Sequence, residues 1–352
     1  MSVLFYVSGH GYGHATRMAE VIRAGARHWG AVVRTEAPAR LFPGARVEHA
    51  VIDSAVAETP DTLRIDGRRT LDNWIEFARR REAIVRREAE HVRDSGARLI
   101  VADMPFLAGE IAAAAEVPCV AIGNFTWSWI LAPHFAHDAQ GREVLRVIDA
   151  GYARMQEYWR LPFSHPEDRA TFRCVIDTPL VAPEIRMARR IDGRRTVLVG
   201  FRGSVPAEAF RRAARELPDT LFLTFDADLA SAAPNTRLVQ VTPEQSFPDL
   251  AAGSDLILAK LGYGLLANCV AGRHRLLYAP REGFREDEIT SVEAARYTAL
   301  RAIPREDFES GNWRPHIDRL LADPMPEGRM PHDGAAVCAG RISARLRATP
   351  PS

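Results

Sequence analysis

The stretch Val3-Leu4-Phe5-Tyr6-Val7-Ser8-Gly9-His10-Gly11-Tyr12-Gly13-His14-Ala15-Thr16-Arg17 is an apolar run that breaks on three alternate glycines and opens into a helix-forming segment. A strand, a turn poor in Cβ atoms and a helix, in that order, leave amide N–H groups converging on one spot, where the helix dipole favours an anion. The far half of the chain repeats the device. There Leu256-Ile257-Leu258-Ala259 runs into Lys260-Leu261-Gly262-Tyr263-Gly264 and then a helical segment from Leu265. Two such turns in two halves predict one site shared by two domains.

Apolar runs and helical periodicity alternate outward from both turns, the pattern of parallel α/β architecture. In the first half, strands are expected at Val3–Val7, Ala31–Thr35, Leu99–Ala102 and Cys119–Ile122. Helices are expected at Arg17–His28, at Leu71–Asp94 with its Arg and Glu residues on a solvated face, and over roughly 141–159. The second half offers strands at Thr196–Gly200, Leu221–Thr224, Leu238–Val241, Leu256–Ala259 and Leu276–Ala279, with helices at Pro206–Glu216 and Leu265–Ala271. The domains expected are 1–183 and 184–330, both Rossmann-like doubly wound parallel sheets facing a central cleft. A final helix within 331–352 is expected to cross back onto the first.

With 352 residues, 47% of them hydrophobic, the chain suits two buried cores. A formal net charge of +1 gives no global field that would draw it to nucleic acid or an anionic membrane. Of the 46 Lys and Arg residues only Lys260 is lysine. That residue is either what a strong arginine bias happened to spare or a compact ammonium set beside a phosphate or sugar oxygen. Cys119, Cys174, Cys269 and Cys338 are widely spaced, which suits reduced thiols in a cytoplasmic protein. The chain enters its first strand directly and no apolar run reaches about 20 residues, so neither secretion nor membrane spanning is expected.

The first turn fails the dinucleotide fingerprint because His14 stands where the third glycine belongs, although Glu36 after the second strand is compatible with it. It also lacks the spacing and lysine of a phosphate-binding P-loop. What remains is a glycine loop carrying two histidines. His14 falls in the first turn of the helix, where the dipole favours an uncharged imidazole able to accept a proton. The alternative is a ring that only hydrogen-bonds the loop. Asp103 ends a strand in the same domain and suits an orienting partner for His14, or else a helix N-cap. His10, Gly11 and Tyr12 in the loop, with Asn124, Phe125 and Trp127 after another strand, suit an acceptor-binding side. The aromatic residues, Trp129 among them, also read as core.

The second half supplies the anion site. Amides near Gly264 and Leu265, Lys260, and the loop Phe201-Arg202-Gly203-Ser204 suit a diphosphate. Arg285, Glu286 and Asp287 lie in a charged segment after a strand, fit either for sugar hydroxyls or for plain solvent exposure.

At this point the residues resemble the GT-B superfamily of glycosyltransferases, including the MurG and UDP-glycosyltransferase types. The Gly13-His14-Ala15-Thr16-Arg17 turn matches the family's base-bearing turn with arginine in place of proline, and the family's aspartate falls on Asp103. Val241-Thr242-Pro243-Glu244-Gln245 corresponds to its base-binding loop, and the turn through Gly262 and Gly264 to its donor motif. A closer resemblance, over most of the chain, is to the glycosyltransferase-like N-terminal part of L-arabinokinases. It rests on Gly9–Arg17, Asn124-Phe125-Thr126-Trp127, Asp177-Thr178-Pro179-Leu180-Val181, Lys260–Gly264 and Phe284-Arg285-Glu286. The chain departs from the GT-B pattern at Asn268, where a ribose-contacting glutamate is usual, and at Glu286-Asp287-Glu288, where an Asp-Gln pair is usual.

The resemblance implies an inverting, metal-independent transferase with a nucleotide-diphosphate sugar as co-substrate and no other cofactor. His14 would be the general base, backed by Asp103. Donor contacts would come from Arg202, Gly203, Ser204, Thr242, Lys260, Gly262, Gly264, Leu265, Asn268, Arg285, Glu286 and Asp287. The alternatives are a non-catalytic nucleotide-sugar-binding regulatory module and a nucleotide-sugar 2-epimerase. Base, sugar, acceptor and oligomeric state are not legible in the residues.

Overall fold

A computed structural model describes residues 2–166, 168–187, 190, 193–201, 205–242 and 244–348. The chain divides into two compact units, one of 1–57, 66–182 and 331–352, the other of 58–65 and 183–330. The segment 58–65 therefore leaves the first domain drawn from sequence and joins the second.

In the first unit, β1 (Ser2–Val7), β2 (Gly30–Thr35), β3 (Arg46–His49), β4 (Ala97–Asp103), β5 (Cys119–Gly123), β6 (Glu157–Arg160) and β7 (Val175–Asp177) form one parallel sheet, ordered β3-β2-β1-β4-β5-β6-β7. Val3 to Val7 are wholly buried, as a strand covered on both faces by helices requires. The order reverses between β1 and β4, the crevice at which open α/β sheets collect ligands. Register pairs Val7 with Asp103, and the Ser8 amide donates to the Asp103 carbonyl at 2.8 Å, so the two strand ends lie side by side.

The helix Gly13–Gly25 packs against the final helix Gly334–Ala348, where Trp29 Nε1 donates to Ser343 Oγ at 3.2 Å. The helix starts four residues earlier than the sequence reading, so His14 lies within its first turn. The long helix Gly67–Ser95 is capped by Asp66, which accepts from the Arg69 amide at 3.0 Å, and ends on Gly96 at φ +63°. Its charged residues are not all solvated. Glu88 is fully buried and accepts from Arg34 and from the Tyr6 hydroxyl. Burial pushes that carboxyl up, but the bonds and charge of Arg34 outweigh it and hold the group below its ordinary value.

The second unit carries β8 (Arg195–Val199), β9 (Thr220–Thr224), β10 (Thr236–Leu238), β11 (Leu256–Lys260), β12 (Leu276–Ala279) and β13 (Leu300–Ala302), ordered β10-β9-β8-β11-β12-β13, again all parallel. Each unit thus has the doubly wound strand order, switching at β1/β4 and β8/β11.

Three expectations need correction. The region 141–159 is a helix only over Ala139–Tyr152, and β6 follows. Apolar residues at Val144, Ile148, Tyr152 and Met155 keep helical spacing across the break, and the reversal at 153–156 contains neither Gly nor Pro. The edge strand β10 is three residues placed earlier than Leu238–Val241, with Leu238 and Val241 exposed. The short strands β3, β7 and β13 carry too little apolar sequence to announce themselves.

Candidate functional site

In the first unit the site forms where β1, β4 and β5 end. Gly11 has φ +68°, which favours glycine, and a Cβ on Gly9 would come within 2.8 Å of Glu36 Cβ, so the loop passes directly over the end of β2. The loop delivers His14 onto Asp103, with Nδ1 2.7 Å from Oδ1. Asp103 is therefore not the N-cap of the helix Leu107–Ala115.

Arg17, one turn after His14, completes a buried network. Its Nε donates to Asp103 Oδ2 at 2.5 Å, its Nη2 to Oδ1, and its Nη1 to Asn124 Oδ1 at 2.7 Å, while Nη2 also lies 3.1 Å from His14 Nδ1. Asp103 is 0% and Arg17 4% exposed. Burial would push the Asp103 carboxyl up, but the charges and hydrogen bonds of Arg17 and His14 hold it below its usual range. The paired carboxylate and guanidinium cancel, and the arrangement has the bidentate form that makes Arg–carboxylate contacts strong.

Phe125 and Trp127 are buried and enclose the imidazole, with ring centroids 5.6 and 6.2 Å from His14. The helix Trp127–Phe135 that carries Trp127 is capped by Thr126. Trp129 is also buried and stacks face to face on His165 at 4.4 Å. These rings are wall and core together. His10 and Tyr12 are partly exposed, His10 edge-on to Trp127 at 5.9 Å and Tyr12 accepting at its hydroxyl from Arg40 at 3.1 Å.

Sequence reasoning missed Asp53, buried in the loop after β3. Nothing in its immediate sequence marks it. Burial pushes its carboxyl up to about 6, against the opposing influence of the Ser8 hydroxyl and the His14 charge.

In the second unit the helix Tyr263–Gly272 begins after Gly262, which is extended and provides no side-chain cap. Gly264 and Leu265 lie in its first turn. Lys260, at the end of β11, pairs with Glu58 at 3.3 Å. Glu58 arrives on the segment 58–65, which runs beside the loop after β12: the Glu282 amide donates to the Leu63 carbonyl at 2.7 Å and Ile65 donates back at 3.1 Å. Asp61 pairs with Arg305 at 2.5 Å. The sequence reading had no hint of this carboxylate on the lone ammonium.

Asn268 is 2% exposed, and among the described residues neither its Oδ1 nor its Nδ2 has a hydrogen-bond partner. Asp287 chelates the buried guanidinium of Arg281 at 2.5–3.2 Å, and Glu286 joins at 3.3 Å. These two carboxylates thus shape the loop around Arg281, whose guanidinium also lies 4.0 Å over the Phe284 ring. Arg285 opens the helix Arg285–Ala294 and is partly exposed. Thr242 is exposed, its Oγ1 accepting from the Gln245 amide at 3.2 Å. Arg202, Gly203 and Ser204 lie outside the described residues. Among the described residues no cluster of His, Cys, Asp and Glu has the arrangement of a metal site, and no helix is long and apolar enough to cross a membrane.

Solved structures superpose on nearly the whole chain. The calicheamicin glycosyltransferase CalG4 matches with a TM-score of 0.59 at 18% identity, covering 99% of this chain and 94% of its own. The spinosyn rhamnosyltransferase SpnG, complexed with thymidine diphosphate, matches at 0.60 and 14%, covering 99% and 97%. The fold is that of the GT-B glycosyltransferases. Among curated proteins, the L-arabinokinase of Arabidopsis thaliana is 26% identical over 343 residues, 92% of this chain. This chain spans about a third of that relative's length, 32%. No protein-family profile matches it.

Proposed function

We propose that this GT-B chain is an inverting, metal-independent glycosyltransferase that moves a sugar from a nucleotide-diphosphate sugar to an acceptor hydroxyl. The observation that carries the reading is the 2.7 Å contact of His14 Nδ1 with Asp103 Oδ1 at the switch point of the first unit's sheet. With Nδ1 held by the carboxylate, Nε2 is the nitrogen that accepts the acceptor's proton. The oxygen attacks the anomeric carbon from the face opposite the diphosphate, and the C–O bond to the diphosphate breaks with inversion. Lys260 and the amides at the start of the helix Tyr263–Gly272 stabilise the charge on the leaving diphosphate. Structural neighbours in complex with thymidine diphosphate support nucleotide binding by this fold.

A second reading, a nucleotide-sugar-binding regulatory module, is favoured by two contacts. Arg17 neutralises Asp103, and Glu58 already engages Lys260. The test is calorimetric titration with a panel of nucleoside diphosphates and their sugars, followed by a search for transfer with the donor that binds. Transfer reduced at least about 10²-fold by His14→Ala supports the enzyme. Tight binding without turnover, unaffected by His14→Ala, supports the module.

A further inference from the structure

The carboxylates gathered around the ends of β11, β12 and β13 are not held alike. Asp61 meets Arg305 at 2.5 Å, Glu282 meets Arg64 at 2.7 Å, and Asp287 meets the buried Arg281 at 2.5 Å with Glu286 beside it. In these charge-assisted pairs the guanidinium fork takes up the carboxylate it faces. Glu58 differs. Its Oε1 and Oε2 lie 3.4 and 3.3 Å from Lys260 Nζ, and among the described residues its carboxylate has no second partner. A tight pair of this kind closes to roughly 2.7–2.9 Å.

The backbone, not the ion pair, keeps Glu58 in place. Glu58 and Ile65 bridge antiparallel, so the segment 58–65 is a hairpin, and two backbone hydrogen bonds from Leu63 and Ile65 tie it to Glu282. Beside the loose pair the helix Tyr263–Gly272 starts without a side-chain cap. A Cβ built on Gly262 would meet nothing within 4 Å, so the space over the helix start is open. The side chains of Lys260 and Glu58 are 36% and 18% exposed.

A ligand that fits an ammonium, free amides and a loosely held carboxylate carries an anion next to hydroxyl groups. Phosphate oxygens take the ammonium and the amides, and a neighbouring hydroxyl donates to the carboxylate. A glycosyl diphosphate has that order of groups, because its sugar is bonded to the distal phosphate. A nucleoside diphosphate without the sugar brings charge to this spot and no hydroxyl, and Glu58 repels it. The single lysine of the chain gains a reason here. An arginine at 260 would grip both carboxylate oxygens in its fork and leave neither group for a ligand.

We propose that Glu58 is a specificity-determining residue, the hydrogen-bond acceptor for a hydroxyl of the donor sugar at the start of the helix Tyr263–Gly272; this deepens the transferase reading above and rests on it. Glu286 and Asp287, the acidic residues that follow β12, are engaged by Arg281 and do not take that place.

The experiment is calorimetric titration with uridine and thymidine diphosphates and with their glucose and galactose conjugates. It gives, for each base, the ratio of the affinity for the nucleotide sugar to that for the bare diphosphate. Glu58→Ala lowers the ratio about tenfold for the sugar that the wild type binds best. Asp61→Asn, on the same hairpin but paired with Arg305, leaves it unchanged. A ratio unmoved in Glu58→Ala, or lowered equally by Asp61→Asn, overturns the proposal. Should Glu58→Ala not fold, Lys260→Arg decides: the charge is kept, the fork closes on Glu58 and the ratio falls, whereas an unmoved ratio overturns the proposal. A wild type that binds none of these ligands sinks the transferase reading itself. Binding with a ratio indifferent to Glu58 sinks this inference alone.

Discussion

Replacing Arg17 by methionine tests whether the buried network is held together by charge. The variant keeps much of the side-chain volume and removes the donors to Asp103 and Asn124. Because Asp103 is 0% and Arg17 4% exposed, solvent cannot replace the lost partner. Leaving one member of such a pair buried alone costs about 3–5 kcal/mol. His14 still contacts Oδ1, so the expected loss is at the lower end, about 3 kcal/mol. Urea unfolding followed by tryptophan fluorescence measures it, with Trp127 and Trp74 near the site reporting on the first unit. A double-mutant cycle with Asp103→Asn isolates the pair, and a coupling of about 2 kcal/mol or more is expected. The pH dependence adds a sign. The Asp103 carboxyl is held below its ordinary value, so its stabilisation is present above the unfolded-state value and is lost as pH falls through the folded one. In Arg17→Met that loss begins at higher pH. A cost under about 1 kcal/mol, or additive single mutants, refutes the argument.

Asp53 predicts the opposite sign. Its carboxyl rises from 3.8 to about 6, so below 3.8 it costs the fold nothing, and the penalty grows through that interval to a ceiling of about 3 kcal/mol. Asp53→Asn should therefore raise the melting temperature relative to wild type more at pH 8 than at pH 4, and an equal offset at both pH values contradicts this. Glu58→Gln should tighten nucleoside diphosphate binding several-fold by freeing Lys260, whereas Lys260→Ala should weaken it about tenfold or more. Calorimetry that finds weaker binding in Glu58→Gln would place the carboxylate on the ligand's side instead. Gly109→Ala should lower the melting temperature although alanine is the better helix former, because its Cβ would come 2.1 Å from the Gly151 carbonyl oxygen. A stabilised Gly109→Ala variant would show that the two helices yield.

The two strand–turn–helix units were legible because their strands are buried on both faces and carry unbroken apolar runs, while their turns carry glycine. His14 and Asp103 were legible as candidates from their places in the pattern: Asp103 ends β4, and His14 opens the helix that follows the glycine turn after β1. Arg17 lay inside the quoted motif, yet its function there depends on Asp103 and Asn124, 86 and 107 residues away. Asp53 and Glu58 follow a four-residue strand in loop sequence with no local signature. Glu88 misled for a physical reason. Charge periodicity in the helix Gly67–Ser95 describes the helix alone, and the partner that makes burial of Glu88 tolerable, Arg34, sits on β2.

The segment 58–65 has a consequence for dissecting the protein. The second unit is interrupted in sequence: its largest part begins at 183, but a short piece is supplied by chain that runs ahead of most of the first unit. A recombinant fragment starting at 183 would lack Leu63 and Ile65, which are buried, and the acidic partners of Lys260 and Arg305. Exchange of this unit as a cassette between related proteins therefore needs two grafts, and a single crossover near residue 183 yields a chimera with one edge of its second unit mismatched.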